Sequence, residues 1–125
     1  MTGVTITEFD LCQVKFSSAL GNGVAIWKGN GLQLGNYYHV EFDIDDCFEW
    51  GVNIDSTNKE VSSVKVIDDS LVFVAKIISY EDDGILTVSF GGDIIFLELS
   101  VSPVLGKYVC FSTLITNVSL YPVDI

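Results

Sequence analysis

From residue 37 to 45, "YYHVEFDID", apolar and polar side chains alternate along the chain. In a strand this period of two points Val40, Phe42 and Ile44 one way and Glu41, Asp43 and Asp45 the other. Similar runs recur through the sequence. "VTITEFDLCQVKF" (4–16) reads as one strand or as two with a bend, and "VAIW" (24–27) and "LQL" (32–34) as short strands. "FEWGVNI" (48–54) reads as a strand with Phe48, Trp50, Val52 and Ile54 on one face. "VSSVKVI" (61–67) reads as a strand or a short helix, and the strands "LVFVAKIISY" (71–80), "ILTVSF" (85–90), "IIFLELSV" (94–101), "KYVCFSTL" (107–114) and "NVSLYPV" (117–123) follow.

Turn signals punctuate these runs: "GNG" (21–23), "KGNG" (28–31), "DDC" (45–47), "DDS" (68–70), "EDDG" (81–84) and "GGD" (91–93). Asp-Gly tolerates positive φ, so "EDDG" is a strong hairpin signal. "DSTNKE" (55–60) and "SPVLG" (102–106) read as loops. No stretch of ten or more residues carries an apolar stripe at helical spacing. Nine or ten short strands at regular spacing predict an all-β, mostly antiparallel single domain over 1–125, built as a sandwich or a small OB-like barrel. Between 71 and 101 both strand faces are largely apolar, as expected where a strand is covered on two sides, and an apolar outer face offered to a partner would look identical.

Hydrophobic residues make up 49% of the chain, enough for a core. The longest apolar stretches, 71–80 and 93–101, are interrupted by charges and far shorter than the roughly 20 residues of a membrane helix. The opening "MTGVTITEFDLC" shows no basic segment followed by an apolar one, so no signal peptide is visible. Cys12, Cys47 and Cys110 are odd in number and widely spaced, without a C-x-x-C pair. They predict buried free thiols in a reducing cytoplasm, not a disulfide framework or a zinc site.

Charge changes the picture most. Seventeen acids oppose six bases, for a net charge of −11, and all six bases are lysines. Phosphate backbones are held by lysine and arginine, so a chain this acidic and without arginine is expected to bind neither nucleic acid nor an anionic membrane. A basic protein becomes the natural partner.

Catalytic patterns are missing. A nucleophile activated by histidine needs a suitable base, and His39 at the start of the acidic strand has no G-x-S-x-G or comparable setting beside it. "DIDDCFE" (43–49) and "EDDG" offer oxygens of the kind calcium takes, but neither fits the twelve-residue calcium loop. The dispersed glycines form no phosphate cradle. A non-enzymatic protein with neither metal nor cofactor is the expectation.

What stands out is a wall of carboxylates. Glu41, Asp43, Asp45, Asp46 and Glu49, joined by Asp82 and Asp83 of the "EDDG" hairpin, are the predicted contact surface for a basic partner. Such a wall also keeps an apolar protein soluble and blocks edge-to-edge pairing. A toxin that cuts nucleic acid carries a positive surface, and an acidic inhibitor can cover it. In "YYHVEFDIDDCFEWGVNI", "DDGILTVSFGGDIIFLEL" and the closing "NVSLYPVDI" the chain resembles the immunity proteins that accompany bacterial polymorphic or contact-dependent toxins. That resemblance implies a tight, stoichiometric inhibitor of a co-encoded toxin. Two other readings stay open: a small-molecule or sugar-binding barrel using Trp27, Trp50, Tyr37 and Tyr38, and a subunit whose strands in 71–101 pair with copies of itself.

Overall fold

The computed structural model describes residues 1–81, 83–100 and 106–123. In chain order its strands are β1 (Thr2–Asp10), β2 (Gln13–Ser18), β3 (Gly21–Trp27), β4 (Tyr37–Ile44), β5 (Cys47–Phe48) and β6 (Ile54–Thr57). Then come β7 (Ser63–Ile67), β8 (Ser70–Tyr80), β9 (Ile85–Phe90), β10 (Asp93–Leu99), β11 (Tyr108–Leu114) and, after one turn of 3-10 helix at Ile115–Asn117, β12 (Val118–Pro122). The first strand run thus splits in two, with Leu11 in a left-handed conformation (φ 57°) at the bend.

Two units of sheet arise from this order. β1 pairs antiparallel with β2 and β4, β2 with β3, and β12 with β4, while β3 and β12 run parallel. These five strands close on themselves as β1–β2–β3–β12–β4, an OB-like barrel built from the first four strands and the last. The remaining strands gather around β8. Its early residues pair with β7 and its later ones with β9 along one edge, while β11 covers the other edge. β6 lies outside β11, and β10 and then β5 lie outside β9. The second sheet packs on the barrel as one layer of a sandwich, so both predicted architectures occur in one molecule.

Alternation explains the core. Inward residues of the barrel (Val4, Ile6, Phe16, Trp27, Val40, Phe42, Leu120) and of the second sheet (Leu71, Phe73, Val88, Phe90, Leu97, Phe111) form one continuous cluster. Phe42 is the joint between them. Its ring centroid lies 5.8 Å from Phe16 inside the barrel, and 6.0 Å from Phe73 and 5.3 Å from Phe90 in the second sheet, all edge-to-face. Such pairs stabilise beyond the area they bury.

Several expectations are corrected. Residues 48–54 are not a strand, because Gly51 (φ +87°) turns the chain there. Gly51 N–H donates to the Ile54 carbonyl and Val52 N–H to that of Glu49, while the Asn53 Oδ1 accepts from Glu49 N–H. Val52 is 73% exposed instead of sharing a buried face with Phe48. The polar run 55–60 supplies most of β6, which pairs with β11. "LQL" lies in the loop from 28 to 36, and a Tyr38 hydroxyl that accepts from Gln33 N–H and donates to the Gly31 carbonyl ties that loop down. Nor are the thiols buried: Cys12 sits at the β1–β2 bend, Cys47 faces outward where Phe48 faces in, and Cys110 is half-buried. Asp82 and the proline of "SPVLG" lie outside the described residues. Among the described residues no helix is long and apolar enough to cross a membrane.

Candidate functional site

β1 starts opposite Val40, so beyond that point one edge of β4 has lost its strand partner. Asp93, the first residue of β10, takes the vacant role. Its Oδ2 accepts from the Phe42 N–H at 2.8 Å and its Oδ1 from the Ile94 N–H at 3.1 Å. The Met1 ammonium lies 3.6 Å from the same carboxylate and donates to the Gly92 carbonyl at 3.0 Å. Asp93 is only 4% exposed. Sequence placed it in a turn, since an acid after two glycines looks like a solvated one.

Burial pushes the Asp93 carboxyl above its ordinary 3.8, and the Phe42 N–H and the ammonium draw it partway back. Between 3.8 and that raised value the folded chain therefore holds more protons than the unfolded one. Stability from this group is fully present below the ordinary carboxylate value and is lost as pH rises through the raised one. Wild type is accordingly expected to gain on Asp93→Asn as pH falls from neutral to about 4. Thermal unfolding of both proteins across that range checks it, and a constant difference between them would remove Asp93 as the source.

The Asp93 contact sets the geometry of the acidic strand. At the far end of β10, Cys47 stands opposite Glu98 and Phe48 opposite Leu99, in parallel. Phe42 against Asp93 has the same register, so the 41–48 segment runs alongside all of β10. Glu41, Asp43 and Asp45 thereby form one outward row, next to the outward row Ile94, Phe96 and Glu98 of β10. On the other side Tyr121 of β12 stands directly across from Glu41, and Ser119 across from Asp43. Glu41, Asp43, Ile94, Phe96 and Tyr121 line an open groove of about 370 Å³. Phe96 is 63% exposed, Ile94 45% and Tyr121 43%.

No family model, curated protein or solved structure matches this chain.

The seven acids singled out from sequence separate into groups. Glu41, Asp43 and Asp45 share the groove face as alternation predicts. Asp46 does not join them: its Oδ2 accepts from the buried Thr113 hydroxyl at 2.7 Å and its Oδ1 from the Cys47 N–H, so it holds the end of β11. Glu49 is exposed on the Gly51 turn. Asp83 is exposed too, and its carboxylate accepts from the Ile85 N–H within the hairpin. Leu99 N–H donates to the Gly84 carbonyl, which places that hairpin at the β5 end of β10, away from Glu41.

Sequence reading missed Ile94, Phe96, Glu98 and Tyr121. The sequence of β10 there is the unbroken run Ile-Ile-Phe-Leu, apolar on both faces, which does not tell the outward face from the inward one.

None of the groove's carboxylates is in an ion pair among the described residues, where the pairs are Met1 ammonium with Asp93 and Lys15 with Glu8. By register the nearest lysine on this sheet surface is Lys28, which follows β3, donates its N–H to the Leu120 carbonyl and so stands beside Tyr121, itself opposite Glu41. That puts Lys28 two strands, roughly 10 Å, across the sheet from Glu41.

Other candidate chemistry lies elsewhere. His39 is half-buried and edge-to-face with Tyr37 at 5.2 Å, in a separate cleft with Thr5, Ser17 and Ser18. Trp27 is core, packed 5.0 Å from Tyr38, so the four rings considered for sugar stacking present no common open face. Among the described residues no three His, Cys, Asp or Glu side chains are gathered to hold a metal.

Proposed function

We propose that this chain is a non-enzymatic binding protein, an immunity protein whose β4–β10–β12 face covers the positively charged surface of a toxin. One observation carries the reading: a row of carboxylates without a cationic partner in register with exposed Ile94, Phe96 and Tyr121. A lone solvated wall has no need of a phenylalanine at its centre. An interface does, because a few buried aromatic anchors supply most of its energy while flanking charges orient the partner and raise its association rate. The apolar and acidic rows divide those tasks between them.

The test is neutralisation. Where the neighbouring gene encodes a toxin domain, as this reading requires, cells producing that domain are expected to grow when the wild-type chain is co-produced. They are not expected to grow with Glu41→Lys and Asp43→Lys combined. Both side chains are exposed, so folding should be unaffected within about 0.5 kcal/mol each. Reversing them sets like charges together and should cost about 3 kcal/mol or more, upward of a hundredfold in affinity. Asp46 is left out because its loss would take away the acceptor of the buried Thr113 hydroxyl. Continued protection by the folded double variant would overturn the proposal.

A further inference from the structure

We infer that the groove between β4, β12 and β10 is a seat for an arginine side chain of the partner, in preference to lysine; this rests on reading the face as a docking surface for a basic protein. The two kinds of side chain lining the groove argue for it together. Glu41 and Asp43, two residues apart on one strand face, set their Cβ atoms roughly 7 Å apart along the strand. A guanidinium between them donates from both of its edges. Tyr121 stands across from Glu41, and Phe96 reaches the groove from the other side, so aromatic surface flanks the carboxylates.

An ammonium group uses the carboxylates and little else, because it is a compact charge that keeps its hydration. A guanidinium is planar and weakly hydrated, and it stacks on a ring while its in-plane N–H groups reach the acids. Phe96 carries no polar atom and is more than half exposed, so its ring face is free for such stacking. An anionic occupant finds no cation among the lining residues. A wholly apolar one would strand two carboxylates against it.

The experiment uses the full chain, labelled with nitrogen-15, and two capped five-residue peptides that differ in carrying two arginines or two lysines. Titration at low salt is expected to move the β4, β10 and β12 amides with both peptides. The arginine peptide should bind about threefold to fivefold tighter. Phe96→Leu should erase that preference by bringing the arginine peptide's affinity down to that of the lysine peptide, and unaltered thermal unfolding shows that this variant is folded. Equal affinity for the two peptides, or a preference that survives Phe96→Leu, overturns the arginine seat and leaves the docking face standing. Absence of shifts on these strands with either peptide overturns both.

Discussion

Phe73→Ala is expected to lower the free energy of unfolding by about 4 kcal/mol. Phe73 is fully buried on β8 and touches rings from three other strands. It lies 6.0 Å from Phe42 of the barrel and 5.2 Å from Phe90 of β9, and it stacks on Phe111 of β11 at 5.0 Å. Truncation removes the ring's transfer energy and leaves a cavity at the junction of barrel and second sheet, where strands on both sides resist collapse. Marginal domains hold only about 5–15 kcal/mol, so the loss is a large fraction of the total. Urea unfolding followed by tryptophan fluorescence measures it as a drop in midpoint. Phe96→Ala, the same chemistry at an exposed site, should move the midpoint little. Equal effects of the two would mean that the phenylalanine cluster does not join the layers.

Gly21→Ala is expected to be nearly as damaging for a different reason. Gly21 opens β3 at φ +131° and is the residue through which β3 pairs with Val64 of β7. A Cβ there would stand 2.0 Å from the Val64 carbonyl oxygen, a backbone atom fixed by the β7–β8 ladder. Backbone strain costs about 1–3 kcal/mol and the overlap about as much again, so a total near 4 kcal/mol is expected. Gly31→Ala is the control, since Gly31 also has positive φ (+70°) but open space around its Cβ position. It should cost about 1 kcal/mol. Thermal melting of the two variants side by side reads the difference, and similar melting temperatures would show that the Val64 contact yields.

Much of this fold is legible in the sequence because a half-buried strand writes its burial as alternation. "YYHVEFDI" has that pattern and is β4 with the predicted acidic face. "GGD" is the expected turn, with Gly91 and Gly92 both at positive φ. The pattern misleads where alternation is accidental. Phe48, Trp50, Val52 and Ile54 are correctly spaced, yet a glycine and an asparagine with local hydrogen bonds outweigh them. It falls silent where both faces of a strand are apolar. In β10, Ile95 and Leu97 are core while Ile94 and Phe96 face outward, and only the three-dimensional pairing distinguishes them. For that reason the acidic half of the groove could be read in advance and the aromatic half could not. Asp93 escapes for a related reason: its role depends on where β1 happens to begin, some ninety residues earlier.

Closure of the barrel by β12 has a consequence for how the protein is made. β1 to β4 are complete by Ile44, but the strand that fills the gap between β3 and β4 is Val118–Pro122. On a ribosome β1 to β4 therefore emerge with two open strand edges, and the strand that covers them follows only after β5 to β11. Contacts so distant in sequence fold slowly, since loop closure must precede any gain from pairing. During that wait, exposed edges invite pairing between chains. The carboxylates of β4 lie beside one of those edges, and like charge there works against such pairing until the last strand docks.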